Sequence, residues 1–270
     1  MTPDVPVRWA IAGTLVGGMA ALLLFAPAAW LAAGVSSVSS GRVQLAATRG
    51  TVWDGSARLL LTGGEGSRDT IALPGRVNWR IAPAWPGLAS SIRADCCTPR
   101  PIEFTLSPRW SGWRLDMASI ASQWPAALLS GLGTPWNTLQ PEGVLSVSGE
   151  ALSVEWIEGR IKVGGNARIE ASAISSRLST LRPMGSYRIT LYTGASATVA
   201  NPLSAAIGSP RIELETLEGA LLLSGSGQWV GSHLRFDGVA SAAPDREAAL
   251  ANLLNIIGRR NGARTIITVG

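Results

Sequence analysis

Residues 143–166 read GVLSVSGEALSVEWIEGRIKVGGN. Apolar side chains recur at every second position through the Val144–Val147 run, through Leu152-Val154-Trp156 and through Ile161-Val163. A period of two places one set of side chains on a common face of a strand. Glycine-bearing breaks separate the runs, and Gly164-Gly165-Asn166 carries the composition of a turn. The segment is expected to form strands that fold back on one another as antiparallel sheet.

The same grammar extends in both directions. Ile102-Phe104-Leu106, Ile189-Leu191 and Ile212-Leu214 alternate, and Gly63-Gly64, Pro183-Met184-Gly185 and Asn201-Pro202 punctuate. The chain of 270 residues holds 31 glycines, about 11% against a usual ~7%, as frequent tight turns require. A local unit recurs: an extended run, a tryptophan, a glycine within three residues, then another run. It stands at Val52-Trp53-Asp54-Gly55, Arg109-Trp110-Ser111-Gly112, Glu155-Trp156-Ile157-Glu158-Gly159 and Gln228-Trp229-Val230-Gly231. A hairpin accounts for it, with glycine at a positive-φ turn position and the indole covering the strand end. Packing is the ordinary role for such indoles, and stacking on a ligand the alternative. The unequal spacing of the units excludes a repeat array.

Two helices are expected within the sheet. One lies around Trp124–Leu132, with Pro125 in its first turn and Gly133 past its end. The other spans 244–257. Pro244 opens it, Asp245 and Glu247 suit its positive end, and Arg259-Arg260 suit its negative end. Leu250, Leu253, Leu254 and Ile257 make one stripe, expected to cover a face of the sheet; a helix docked on a membrane surface is the sharper alternative. Residues 265–269 close the chain as a strand.

From Trp9 to Ala33 there are 25 residues without a charge. As one helix they would span ~37 Å, enough to cross a ~30 Å hydrocarbon core, with Trp9 and Trp30 near the two interfaces. A cleavable secretory signal, with Ala26-Pro27-Ala28 resembling its cleavage site, is the competing reading. The expectation is an uncleaved anchor: residues 1–35 as a short cytoplasmic tail plus a transmembrane helix over about 9–33. Residues 36–270 then form an exported β-rich domain, as one sheet or as two lobes, 42–140 and 141–270. No second stretch is long and apolar enough for another helical span.

Composition excludes several chemistries. With one histidine, His233, and two cysteines, a zinc site of several His and Cys ligands is out of reach. His233 lies in an alternating run and reads as a strand residue. The sole lysine, Lys162, leaves no glycine-lysine phosphate loop. Asp54, Glu142 and Glu158 sit beside turn glycines, where acids serve turns. No catalytic constellation and no cofactor motif emerges. The net charge of +5 comes from arginines spread singly, apart from Arg259-Arg260, which argues against nucleic acid. Without residues 1–35 the chain is still only about 17% charged, against a usual ~25%, so its apolar surface extends beyond the anchor.

Cys96 and Cys97 are adjacent. In an oxidising compartment they could close a vicinal disulfide that locks a turn, remain as free buried thiols, or link to a partner.

Several blocks are similar to a known family: Gly50-Thr51-Val52-Trp53-Asp54-Gly55, Leu73-Pro74-Gly75-Arg76-Val77-Asn78-Trp79, Gly133-Thr134-Pro135-Trp136-Asn137-Thr138-Leu139, Ser175-Ser176-Arg177-Leu178-Ser179-Thr180-Leu181, and Asn252-Leu253-Leu254-Asn255-Ile256-Ile257-Gly258-Arg259-Arg260. In this order, with the amino-terminal span, they resemble protein N of the bacterial type II secretion system. The resemblance implies a single-pass inner-membrane protein with a periplasmic domain, an accessory in the export of folded proteins across the outer membrane. It implies partners among the other secretion components, on the inner-membrane platform or linked to the secretin, and supplies no catalytic residue. A more distant similarity to AsmA-like proteins implies a curved sheet whose groove handles lipid.

Overall fold

The computed structural model describes residues 7–64, 66–157, 160–193, 210–230 and 233–269. Two helices come first, α1 (Val7–Leu24) and α2 (Ala28–Val38). Seven strands follow: β1 (Val43–Gly50), β2 (Asp54–Thr62), β3 (Thr70–Ala72), β4 (Val77–Ala84), β5 (Gly87–Ala94), β6 (Ile102–Arg109) and β7 (Gly112–Pro125). A 3-10 helix, Ala126–Leu132, and a single turn, α3 (Trp136–Leu139), lead to the long strands β8 (Glu142–Ile157) and β9 (Arg160–Ser175). The rest is β10 (Gly185–Thr193), β11 (Arg211–Gly219), β12 (Leu221–Val230), β13 (His233–Ala242), α4 (Glu247–Ile257), β14 (Arg259–Asn261) and β15 (Arg264–Val269).

The mainly β, antiparallel reading holds. One 15-stranded sheet runs in the order β1-β2-β4-β5-β6-β7-β8-β9-β10-β11-β12-β13-β15-β14, with β3 added to β2. Pairing passes without interruption across residue 140, through β7 and β8 from Gly112↔Ile157 to Pro125↔Val144. The chain exposes 17578 Å², whereas a globular chain of this mass exposes ~11,000 Å². A single layer of sheet contributes to the difference, because among the described residues nothing stacks against most of its area. Burial is accordingly divided among three small clusters, centred on Trp79, on Leu73 with Leu128, and on Leu250 with Leu254.

One helix over about 9–33 does not form. Pro27 has no N–H to give and its ring clashes with the carbonyl four residues back, so α1 stops at Leu24 and α2 starts at Ala28. The freed carbonyls are taken by the sheet: Trp53 Nε1–H donates to Leu23 O (2.7 Å) and Val52 N–H to Ala26 O (2.9 Å). Among the described residues no helix is long and apolar enough to cross a membrane.

Gly164-Gly165-Asn166 is not a turn but lies inside β9. Ala151 in β8 has φ +50° and forms a bulge, where the register shifts between Glu150 and Ser153. Gly165 faces it at φ +94°, and a Cβ there would collide with the Ala151 carbonyl oxygen. The bulge has a consequence for patterning. Leu145 and Val147 are odd-numbered while Leu152, Val154 and Trp156 are even, and the inserted residue returns both sets to one face.

Other corrections are local. Trp124 and Pro125 end β7, so the first interior helix is a 3-10 helix from Ala126. The second begins at Glu247, because Asp245 takes φ +63°, and Arg259-Arg260 belong to β14. Its stripe packs as expected: Leu250, Leu253 and Leu254 are buried against the sheet beside Tyr187 and Ala240. Burial pushes the Tyr187 phenol well above its usual range, and its hydroxyl donates to Leu221 O (3.1 Å). Asn201-Pro202 lies outside the described residues.

Candidate interaction surface

The register lines up apolar side chains across the sheet. Leu88, Leu106, Leu115, Val154 and Val163 oppose one another in turn from β5 to β9, and Ser90, Phe104, Met117 and Leu152 form the next row. Farther on, Val147, Ile169, Ile189 and Leu214 continue the same face. The opposite face is polar. Arg188 of β10 bridges Glu170 of β9 and Glu215 of β11, each at 2.9 Å. Arg114 bridges Asp116 and Glu155, each at 2.8 Å. These carboxylates hold both guanidinium groups more firmly protonated than usual.

Helices cover the apolar face only in places. Leu128 of the 3-10 helix packs over Leu73, Ala94 and Cys97, α4 packs over β10, β12 and β13, and Leu31 of α2 lies over Ala57 and Trp79. Among the described residues no helix covers the row from Leu88 to Val163, and its side chains are half-buried. At the β1 edge of the sheet, α2, β1 and the β1–β2 turn enclose an open apolar groove of ≈ 580 Å³ lined by Trp30, Leu31, Val35, Val38, Val43 and Val52.

In an antiparallel meander alternate connections fall at the same end. The end holding the β5–β6, β7–β8 and β9–β10 connections carries the covering helices and loops. There Cys96 and Cys97 are bonded to each other, with Cα atoms 3.7 Å apart, and Cys97 is buried in the cluster with Leu73 and Leu128. Gln123 N–H donates to Cys97 O (2.7 Å), so the turn is tied to β7. The opposite end carries the β1–β2, β4–β5, β6–β7, β8–β9 and β12–β13 turns, and with them Trp53, Trp85, Trp110, Trp156 and Trp229.

The indoles divide in their roles. Trp53 donates its hydrogen bond to the α1 carbonyl and Trp229 is half-buried, whereas Trp110 is 106% exposed and covers nothing. Trp156 is exposed and pairs across β7–β8 with exposed Trp113. The expectation that these indoles pack at strand ends is therefore overturned at Trp110 and Trp156. Nor does a turn glycine with positive φ follow each one: Gly55 and Gly112 have ordinary φ, and Gly112 instead admits the close approach of the Trp156 carbonyl. Trp85, 100% exposed, was not among the sequence units, although Trp85-Pro86-Gly87 has their form.

The remaining candidates scatter. Asp54 pairs with Arg80 and Glu142 with Arg182, both on the surface. His233 opens β13, its side chain outside those described, and Glu158 lies outside the described residues.

The fold is thus a single-layer antiparallel meander, polar on one face and apolar on the other. The family described as type II secretion system (T2SS), protein N, matches residues 41–267, and the chain belongs to that family. It is thus a component of the type II secretion machinery. No curated protein and no solved structure matches the chain.

Proposed function

We propose that this chain is a non-enzymatic scaffold of the secretion apparatus, held at the inner membrane by α1 with its sheet in the periplasm. The observation that carries the reading is the uncovered apolar row from Leu88 to Val163 in a member of this family. Apolar surface left open in water marks a place of contact. The membrane attachment rests on α1, whose Ile11, Leu15, Val16, Met19, Leu22 and Leu24 are all exposed, a burden that lipid removes. α1 serves as the attachment, and α2 with the sheet forms the periplasmic unit.

Photo-crosslinkers placed at Leu106 and Val154 in the cell envelope are expected to capture another secretion component, and those at Glu103 on the polar face are not. Capture of no secretion component from the apolar face would defeat the scaffold. The second reading, a lipid-handling groove of AsmA-like type, is favoured by the same row, since aligned aliphatic side chains suit acyl chains. Stoichiometric phospholipid on gently purified protein, seen by native mass spectrometry, would establish it.

The Cys96–Cys97 pair belongs to this reading as a structural clip suited to the oxidising periplasm. Thiol titration of the native chain is expected to find no free thiol and, after reduction, two. Two free thiols in native protein would remove the clip.

A further inference from the structure

The end of the sheet that carries the exposed tryptophans is also the end from which α1 departs. The junction is built at the β1–β2 turn, where Thr51 bridges Pro27, Val52 N–H donates to Ala26 O, and Trp53 Nε1–H donates to Leu23 O. Beyond that bond the described side chains of α1, from Trp9 to Leu24, are exposed, as is Phe25 just past its end. Along the same end the β4–β5 turn holds out Trp85 and the β6–β7 turn holds out Trp110, each indole without cover. Trp113 and Trp156, cross-strand partners just inside these tips, are exposed as well.

A water-facing indole of this kind has little reason to persist as packing, since it covers nothing. Indole does have a preferred station elsewhere: the headgroup region of a bilayer, where its ring is half apolar and its N–H finds partners. Charge at this end points the same way. Arg109, Arg211 and Arg235 are exposed near the turns, while the acids Asp54 and Glu155 are already bridged by Arg80 and Arg114. Glu158 lies between β8 and β9 in the sequence. The opposite end carries the helices, loops and vicinal cysteines, and its Trp136 is only 38% exposed, against 100% for Trp85 and 106% for Trp110.

We propose that the rim of hairpins bearing Trp85, Trp110, Trp113 and Trp156 rests in the headgroup layer of the same membrane that receives α1, so that the sheet stands on the bilayer. The partner is a phospholipid surface containing anionic lipid. The strands then run away from the membrane, and the uncovered apolar row, which crosses β5 to β9 a few residues inside the tips, lies just above the lipid. This rests on the reading that α1 is embedded in lipid.

The test uses the full chain reconstituted into phosphatidylethanolamine–phosphatidylglycerol vesicles. Ser111→Cys, beside retained Trp110, and Ala263→Cys, in the turn at the far end of the sheet, each receive an environment-sensitive dye under non-reducing conditions. At position 111 the emission is expected to shift to the blue, to be quenched by nitroxide-bearing headgroups and to resist aqueous iodide. At 263 the reverse is expected. Adding Trp85→Gln and Trp110→Gln to the Ser111→Cys chain should abolish the blue shift, and both side chains are so exposed that the fold survives their loss. If the chain floats with vesicles but the dye at 111 behaves like that at 263, the rim is overturned, anchoring stands, and the indoles are left for a protein partner. Persistence of the blue shift without the two tryptophans overturns their role. Failure of the chain to float overturns both the anchoring and the rim.

Discussion

Leu250→Ala is expected to destabilise the carboxy-terminal part of the sheet by about 2–5 kcal/mol, the range for removing a fully buried leucine where neighbours collapse incompletely. Leu250 is 0% exposed and sits at the centre of the cluster that joins α4 to Tyr187, Leu221 and Ala240. Because the three clusters share no core, the loss should be felt locally. Hydrogen exchange read by mass spectrometry should show faster exchange in β12, β13 and β15, with β2 and β4 unchanged. Uniform acceleration over the whole sheet would mean that the clusters are coupled through the strands, and an unchanged α4 region would mean that the stripe does not hold it.

Trp79→Ala is expected to cost about 3–5 kcal/mol at the other end of the chain. Trp79 is buried between Ala28, Ala57, Ile81 and Ile92, and its Nε1–H donates to Val52 O at 3.0 Å. The substitution empties the seat of α2 and releases the carbonyl beside the turn that receives α1. Limited proteolysis should then cut between residues 27 and 42, where the native chain resists, before any cut within β8 or β9. Trp79→Phe should keep the packing and lose only the hydrogen bond, a cost nearer ~1 kcal/mol. Equal protease resistance in Trp79→Ala and the native chain would show that α2 is held by other contacts.

The two substitutions also mark what each kind of reading reaches. The stripe Leu250-Leu253-Leu254-Ile257 is legible because helical spacing is a local property, and its destination follows from the large apolar face that alternating strands offer. Trp79 carries no such signal: it is one alternating residue among many, and its importance arises from where β2, β4 and α2 converge. The same holds for Trp110 and Trp156. The sequence unit of tryptophan before glycine correctly marks hairpins, but whether an indole packs or projects depends on what lies across the turn. Pro27 illustrates the reverse case. Its power to stop a helix is local and readable, yet in a 25-residue uncharged run hydropathy outweighed it, and the bonds from Val52 and Trp53 that stabilise the break are contacts between distant residues.

Period-two alternation, glycine-rich turns, the uncharged amino-terminal run and the scarcity of charge elsewhere determined by themselves a mainly antiparallel β protein with surplus apolar surface, since each depends only on near neighbours along the chain. The lining-up of that surplus on one face was decided by tertiary structure, because the bulge at Ala151 and its glycine partner Gly165 reset the alternation in mid-strand. The gathering of exposed tryptophans at one end, beside the departure of α1, was likewise a matter of strand order. Which turns share an end is a property of the whole meander, and no window of sequence contains it.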